Sequence, residues 1–325
     1  MVQTKFTQIL YLTIYALLEN DIYDGGLRAY ISSEEFEKLK TILLNSKKSN
    51  QFMDSEFPPN DGSVNPNGKG PGLAWRYVSE LFPEDDLSND EDLRLSNLKP
   101  GNLANSYFLS ALCILSERKG LLLKLFHESN ENQIQMYSFW LNDSGEWRLI
   151  CLDATIPCSS PKGGPVFAQS TNQEMWAMLL EKAYAKMFGC YKSLEFGYSA
   201  HAISDLTGVP YETFECSDAD GCWEYLKKAT SNKNWLVVAN TVANQPSLTQ
   251  FKGPCSQFCY EILQLREVYD GQGGAQRAIQ LSNPMKAEGF LRIWQPDTQG
   301  WPSHMRQELL KGDSKQPKPG AFWIS

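Results

Sequence analysis

The feature that most constrains the fold is the apolar run from Gly101 to Phe126. Its first half repeats large apolar side chains at helical spacing, and its second half adds the leucine-rich segment Leu121–Leu125. A helix that is apolar on every side has to be enclosed by other elements. The run therefore predicts a buried central helix followed directly by a second helix.

Strand patterns come after this run. Residues 135–141 and 146–153 have the composition of strands, and the segment Asn142–Gly145 between them is typical of a hairpin turn. Further elements are predicted downstream: helices at 174–188, 222–229 and 301–310, and strands at 236–240, 258–265 and 278–282. Because helices dominate the first part and antiparallel strands the second, the chain is predicted to be α+β.

The beginning of the chain predicts a helical extension over residues 1–50. Apolar residues recur at helical spacing from Phe6 to Leu18, and a capped amphipathic segment begins at Ser32. Residues 57–72 are rich in Pro, Gly and Asn, so we expect an irregular arm there. We also expect this arm to contain too little apolar surface to become ordered by its own burial.

The rest of the chain predicts two subdomains. A break at Gly208–Pro210 separates core subdomain 1, residues 51–209, from core subdomain 2, residues 210–325. A chain of 325 residues is long enough for two cores of ordinary size.

Charge and hydropathy exclude two classes of partner. The net charge is −8, whereas a nucleic-acid-binding surface needs clustered Lys and Arg. No apolar run reaches the roughly 18 residues of a membrane-spanning helix. The apolar start of the chain lacks the basic residues and cleavage site of a signal peptide. We therefore expect a cytoplasmic protein that binds neither nucleic acid nor membrane.

Histidine and cysteine usage narrows the possible chemistry. The chain contains three histidines, His127, His201 and His304, so any mechanism with an imidazole base must use one of them. The eight cysteines are too few for a disulfide scaffold and lack the matched pairs of a zinc ribbon. We expect no bound metal and no cofactor.

Several segments, in order, resemble the protease core of the calpain family over residues 52–325. They are Phe52–Pro59 (FMDSEFPP), Leu73–Arg76 (LAWR), Gly101–Leu112, Asn142–Pro157, Leu179–Lys186 (LLEKAYAK), Ile279–Pro284 and Phe322–Ser325 (FWIS). The resemblance implies a papain-like cysteine protease fold with an active cleft between its two subdomains. The family continues past the last segment, so we expect this sequence to be part of a longer chain.

Two of the departures from the family's nucleophile motif remove a catalytic group. The family has Q-G-x-L-G-D-C-W at the start of the central helix, where this chain has Pro100–Tyr107. Ser106 stands in place of the nucleophilic cysteine, and a serine hydroxyl is not ionised at neutral pH. Pro100 stands in place of the glutamine that stabilises the oxyanion, and its ring nitrogen carries no proton to donate.

The base is also replaced. The family's H-A-Y-S-V strand matches residues 258–262, which puts Phe258 at the position of the histidine. Moving the alignment by one residue gives Gln257, which cannot accept a proton either. Asn283 matches the asparagine that orients the imidazole. Met285 replaces the tryptophan that shields their hydrogen bond.

Two alternatives remain. A residual serine-type hydrolase would use Ser106 with one of the three histidines, of which His201 is the best placed in sequence. A calcium-regulated peptidase would use the family's calcium sites, where Glu181 matches an acidic position and Asn97 replaces an expected Asp. Glu181 is equally well interpreted as a helix-surface carboxylate paired with Lys182 or Lys186.

The sequence thus predicts a calpain-like pseudoprotease with no functional catalytic residues, because its catalytic positions, Ser106, Phe258, Asn283 and Pro100, are degenerate. Such a protein would serve as a structural or protein-binding module. By analogy with inactive calpain-like proteins, we expect partners in the cytoskeleton, such as microtubule or axonemal components.

Overall fold

The structure is a computed structural model of the 325-residue chain. It describes residues 9–16, 41, 52–68, 72–83, 98–127, 135–170, 174–215, 218–232, 234–241, 259–269, 274–282 and 321–324. These residues separate into two compact units. The first unit lies within residues 19–208, and the second combines residues 1–18 with residues 209–325.

Within the described residues, helices and antiparallel strands contribute in similar measure, which confirms the α+β class. The strands are β1 (Ile9–Ala16), β2 (Ala74–Tyr77), β3 (Leu98–Lys99), β4 (Met136–Asp143), β5 (Glu146–Asp153), β6 (Thr155–Cys158), β7 (Gln169–Ser170), β8 (Tyr211–Glu215), β9 (Trp235–Thr241), β10 (Cys259–Tyr269), β11 (Ala275–Ser282) and β12 (Ala321–Ile324). The helices are α1 (Asp61–Val64), α2 (Val78–Leu81), α3 (Ser106–Ser116), α4 (Lys119–Leu123), α5 (Trp176–Met187), α6 (Ser199–Thr207) and α7 (Ala219–Ser231).

The first unit is built around α3, the predicted central helix. All of its residues after Ser106 are buried, and α6 and α4 pack against the helix. Phe108 of α3 stacks on Tyr184 of α5, with 4.2 Å between the ring centres. The predicted second helix, α4, follows immediately.

The predicted hairpin is confirmed. Strands β4 and β5 pair antiparallel from Met136 opposite Asp153 to Asp143 opposite Glu146. Ser144 and Gly145 form the two-residue turn with φ angles of 56° and 94°. Positive φ at both positions is typical of a type I′ turn, whose twist matches that of paired strands.

A buried ion pair connects α5 to the hairpin. The ammonium of Lys182 lies 2.8 Å from an Asp153 carboxylate oxygen, and both side chains are fully enclosed. Lys182 also donates to the carbonyl oxygen of Thr155 at 2.7 Å. One turn later, Lys186 binds Asp54 at 2.8 Å, which connects the segment Phe52–Pro59 to the same helix.

The second unit is organised by one antiparallel sheet of six strands in the order β12-β11-β10-β9-β1-β8. Helix α7 covers one face of this sheet, where Trp223 and Leu226 pack against Val237 and Ile279. The strands predicted at 236–240, 258–265 and 278–282 are β9, β10 and β11, each longer than its prediction.

One prediction for the beginning of the chain needs correction. Residues 9–16 form strand β1 rather than a helix. The segment ILYLTIYA is rich in β-branched and aromatic residues, and pairing with two neighbouring strands outweighs its helical spacing. The helix predicted from Ser32 lies outside the described residues, apart from Thr41, which is helical. The helix predicted at 301–310 also lies outside them.

The described residues of the arm, 57–68 and 72, are irregular apart from the single turn α1, which the sequence did not predict. The side chain of Asn60 caps this turn by accepting hydrogen bonds from two backbone N–H groups. Phe57 and Val64 are buried, so the described part of the arm packs onto the first unit. The expectation that the arm could not become ordered by its own burial is therefore wrong. Among the described residues, no helix is long and apolar enough to cross a membrane.

Candidate functional site

The candidate site lies at the start of α3, whose first residue is Ser106. The Ser106 side chain is half-buried, whereas the next residues of the helix are enclosed. A group in this position lies close to the N-terminal backbone N–H groups, where the helix dipole favours negative charge. The structure thus places Ser106 at the N-terminus of a buried helix, as the resemblance to the family predicts.

The loop that leads into α3 is held closely by its neighbours. The backbone N–H of Asn102 donates to the carbonyl oxygen of Val166 at 2.8 Å. A Cβ atom at Gly101 would lie 2.1 Å from the carbonyl oxygen of Phe167, so only glycine fits there. The short pairing of β3 with β7 fixes the residues just before this loop, and Pro100 at its start is exposed.

A second loop packs against the same residues. The N–H of Phe196 donates to the carbonyl oxygen of Ala104 at 3.0 Å, two residues before Ser106. The backbone of Gly197 lies against the ring of Tyr107, leaving no room for a Cβ atom. Phe196 and Tyr198, on either side of Gly197, are 70% and 71% exposed. Two aromatic rings therefore face water beside the start of α3.

Behind the start of α3, a buried carboxylate connects three segments of the first unit. Asn105 donates its side-chain N–H to one oxygen of Glu181 at 2.7 Å, and the N–H of Ala168 donates to the other at 3.0 Å. Burial raises the pKa of Glu181 to about 7, although these two hydrogen bonds act in the opposite direction. The Asn105 side-chain oxygen is buried and has no hydrogen-bond partner within the described residues.

The interpretation of Glu181 as a helix-surface carboxylate paired with Lys182 or Lys186 is wrong. Its side chain is 1% exposed, not on the helix surface, and its partners are Asn105 and Ala168. Lys182 and Lys186, the predicted partners, bind Asp153 and Asp54 instead. The helix that carries LLEKAYAK is buried over most of its length. The charged residues in this segment suggested an exposed face, so its burial was not predicted.

The site as described does not fit a calcium ion. Calcium takes six to eight oxygen ligands, typically including several carboxylates. Both Glu181 oxygens accept from N–H groups, and the described part of the chain contains no cluster of three or more His, Cys, Asp or Glu suited to a metal. Asn97 lies outside the described residues. No step of a mechanism is therefore assigned to calcium.

Other predicted positions are only partly described. Phe258, Gln257, Asn283, Met285 and His304 lie outside the described residues. His127 and His201 are described in the first unit. The His127 ring lies 6.1 Å from that of Trp140, and the exposed His201 ring lies 5.6 Å from that of Tyr198.

Three features of the site were missed by the sequence analysis. The Asn105–Glu181 hydrogen bond joins residues 76 positions apart, a separation that no local pattern encodes. The exposed pair Phe196 and Tyr198 could have been noticed as two aromatics around a glycine. A cavity of about 250 Å³ also lies beside the loop, lined by Val64, Leu103, Phe167 and Tyr191 among others.

Comparison with known proteins agrees with this geometry. Residues 52–325 match the calpain family cysteine protease domain. Similar proteins include the calpain-type cysteine protease ADL1 of Oryza sativa subsp. japonica, 32% identical over 311 residues, which cover 89% of this chain and 14% of the rice protein. Calpain-5 of Caenorhabditis elegans is 30% identical over 91% of this chain and 50% of its own length. Human calpain-8 is 26% identical over 90% of this chain and 42% of its own length.

The fold is that of a papain-like protease core, and its central helix begins at Ser106. With this match over most of its length, the chain belongs to the calpain family. It spans half or less of the length of these curated relatives.

Proposed function

We propose that this protein is a calpain-family pseudoprotease that does not cleave peptide bonds. It acts instead as a structural or protein-binding module in a larger cytoskeletal or axonemal assembly. The observation that carries the proposal is the position of Ser106 as the first residue of α3, where the family has its nucleophilic cysteine.

The chemistry of Ser106 supports this proposal. A cysteine at a helix N-terminus can be a thiolate near neutral pH, because the helix dipole and an adjacent imidazolium lower its pKa. A serine hydroxyl ionises only at far higher pH, so it needs a general base within hydrogen-bond reach. By its resemblance to the family's H-A-Y-S-V strand, the segment that begins at Phe258 has a phenyl ring at the position of that base, and a phenyl ring accepts no proton.

The residue at the oxyanion position also supports the proposal that the protein does not cleave peptide bonds. Pro100 matches the family's glutamine and offers neither a side-chain donor nor a backbone N–H. Loss of one oxyanion donor typically costs about 10²–10³ in rate. Asn283 remains at its position in the sequence, but no imidazole is left for it to orient.

Binding without cleavage is supported by the surface around Ser106. Phe196 and Tyr198 are exposed on a loop that is fixed by its hydrogen bond to Ala104. Aromatic side chains on a rigid loop lose little conformational entropy on binding and are common anchors in protein interfaces. We propose that these two rings contact the partner chain.

A serine-reactive fluorophosphonate probe tests whether Ser106 retains hydrolase chemistry. The proposal predicts that the probe labels the unmodified chain no more than it labels the Ser106→Ala variant. Stoichiometric labelling that disappears in Ser106→Ala would contradict the proposal and favour a serine-type hydrolase.

Co-sedimentation with purified microtubules tests the binding role. We expect the unmodified chain to pellet with microtubules equally in calcium and in chelator. The double variant Phe196→Ala, Tyr198→Ala should lose most of this binding. Tyr269→Ala, at a tyrosine of the second unit that is 57% exposed, is the matched control and should bind normally. Binding that requires calcium, or that is unchanged in the double variant, would contradict the proposed mode.

A further inference from the structure

Strand β1 occupies a position inside the sheet that the rest of the second unit leaves open. It pairs antiparallel with β8 on one side, from Tyr11 opposite Glu215 to Tyr15 opposite Tyr211. On the other side it pairs antiparallel with β9, from Ile9 opposite Thr241 to Ala16 opposite Trp235. Strands β8 and β9 are therefore parallel to each other, with one strand between them.

The strands that border β1 are joined by α7. A strand–helix–strand connection with one strand skipped leaves a slot about 9–10 Å wide, twice the ordinary spacing between strands. Helix α7 packs through Trp223 and Leu226 on the face formed by Val237 and Tyr260. This packing holds β9 in place, so β8 would have to move by the width of one strand to pair with β9.

An empty slot would expose two rows of unpaired backbone groups. Unpaired strand edges bind other extended chains, which is the basis of β-strand addition and of domain swapping. Here both borders of the slot contribute hydrogen bonds, so an incoming strand gains two ladders rather than one. The register on each border is already set by the pairs that β1 makes.

We propose that the slot between β8 and β9 is a strand-acceptor site, and that β1 of a second copy of this chain enters it by exchange. The second copy is the occupant whose fit is already seen, because its β1 is identical in sequence and makes the same pairs. Residues 17–51 connect β1 to the described part of the first unit, and roughly 35 residues reach at most about 120 Å. This length permits β1 to enter a neighbouring molecule.

Exchange depends on protein concentration. Intramolecular insertion benefits from an effective concentration in the millimolar range, so isolated chains keep their own strand. High local concentration, as in an assembly, favours mutual exchange and links copies in pairs. This inference rests on the pairing of the sheet alone and is independent of the loss of catalysis.

The test uses the full chain and a synthetic peptide of residues 8–17 carrying a fluorophore. Thr13 lies opposite Thr213 in β8 and Val238 in β9, so Thr13→Pro removes a backbone donor from the middle of the ladder. We expect saturable binding of the peptide to the Thr13→Pro chain, at least tenfold weaker binding to the unmodified chain, and no binding of a control peptide that carries Thr13→Pro. Equal binding to both chains, or none to a folded Thr13→Pro chain, overturns the acceptor site.

Sedimentation velocity of the unmodified chain supplies a second measurement, which does not depend on how the variant folds. After incubation at raised concentration we expect dimers, and excess peptide should convert them to monomers that carry the peptide. If the unmodified chain stays monomeric at every concentration, the proposal that a second copy occupies the slot is wrong. This holds even if the Thr13→Pro variant binds the peptide. Dimers that persist in excess peptide overturn it too.

Discussion

At the residue scale, the start of the central helix depends on a carboxyl group that is not exposed to water. Glu181 lies between Asn105 and the backbone of Ala168, and burial raises its pKa to about 7. Burial penalises the charged form of this carboxyl group, so the enclosed position favours the protonated form. The protonation of Glu181 therefore affects the stability of the segment that presents Ser106.

This link predicts how stability depends on pH. The pKa of Glu181 rises from its ordinary value of 4.5 to about 7 in the folded protein, so the folded state binds the proton more tightly. The resulting stabilisation is complete below pH 4.5 and is lost as the pH rises through 7. A glutamine at this position does not titrate. We therefore expect the difference in unfolding free energy between Glu181→Gln and the unmodified chain to change in favour of the variant by up to about 3 kcal/mol from pH 5 to pH 8.

Urea denaturation at a series of pH values measures this difference. Glu80→Gln, at a carboxylate that is 55% exposed, is the control and should follow the unmodified chain. A Glu181→Gln profile parallel to that of the unmodified chain would show that Glu181 is ionised throughout this pH range.

A second residue-scale prediction concerns the buried pair. Burial lowers the pKa of Lys182 against the opposing attraction of Asp153, and Lys182 in turn holds the pKa of Asp153 below its ordinary value although burial alone would raise it. Lys182→Met keeps the length of the side chain but leaves Asp153 buried without a counter-charge. We expect it to lower the unfolding free energy by about 3–5 kcal/mol.

The control is Lys192→Met, which removes an ion pair between exposed Lys192 and Glu195. An exposed pair contributes at most about 1 kcal/mol. Both variants are compared by urea denaturation followed by tryptophan fluorescence. Equal losses in the two variants would mean that Asp153 is accessible to water.

The sequence allowed prediction of the residues at this scale only where a motif carried them. Ser106 and Pro100 were found because they interrupt a family pattern at fixed positions. Asn105 and Glu181 were not recognised as partners, because their contact depends on the packing of α5 against the start of α3. A carboxylate flanked by Leu179, Leu180 and Ala183 was nevertheless a sign of burial.

At the scale of elements, close backbone contact fixes the loop before α3. Gly101 lies so near Phe167 that a Cβ atom would require the backbone of one segment to move. We expect Gly101→Ala to lower the unfolding free energy by about 1–3 kcal/mol, as overpacking of a close contact does.

Gly120→Ala is the matched control. Gly120 lies in α4 with open space where its Cβ would be, so alanine should stabilise the helix by up to about 1 kcal/mol. Thermal unfolding of the two variants beside the unmodified chain checks both signs. A neutral Gly101→Ala would show that this loop can move away from Phe167.

Elements with a complete local pattern were predicted well, and elements that depend on distant partners were not. The hairpin of β4 and β5 has its own turn chemistry, and α3 has an unbroken apolar run. Strand β1 was predicted as a helix because the spacing of its apolar residues fits both periods. Only pairing with β8 and β9, which lie far away in sequence, decides its conformation.

At the scale of the whole molecule, the family and the α+β class followed from the order of motifs. That order does not depend on contacts between distant residues, so it could be recognised without a structure. The composition of the second unit could not be predicted from the sequence, because a strand from residues 1–18 completes a sheet otherwise built from residues 209–325.

The central claim is that the chain binds without cleaving, and casein cleavage by Ser106→Cys tests it most directly. On the proposed account, the cysteine lies at the start of α3 with neither an imidazole to lower its pKa nor a donor from Pro100 to stabilise the oxyanion. The account predicts that the unmodified chain and Ser106→Cys release no more peptide than buffer, with and without calcium, beside an active calpain as positive control. Cleavage of casein by either chain above that background would contradict the account.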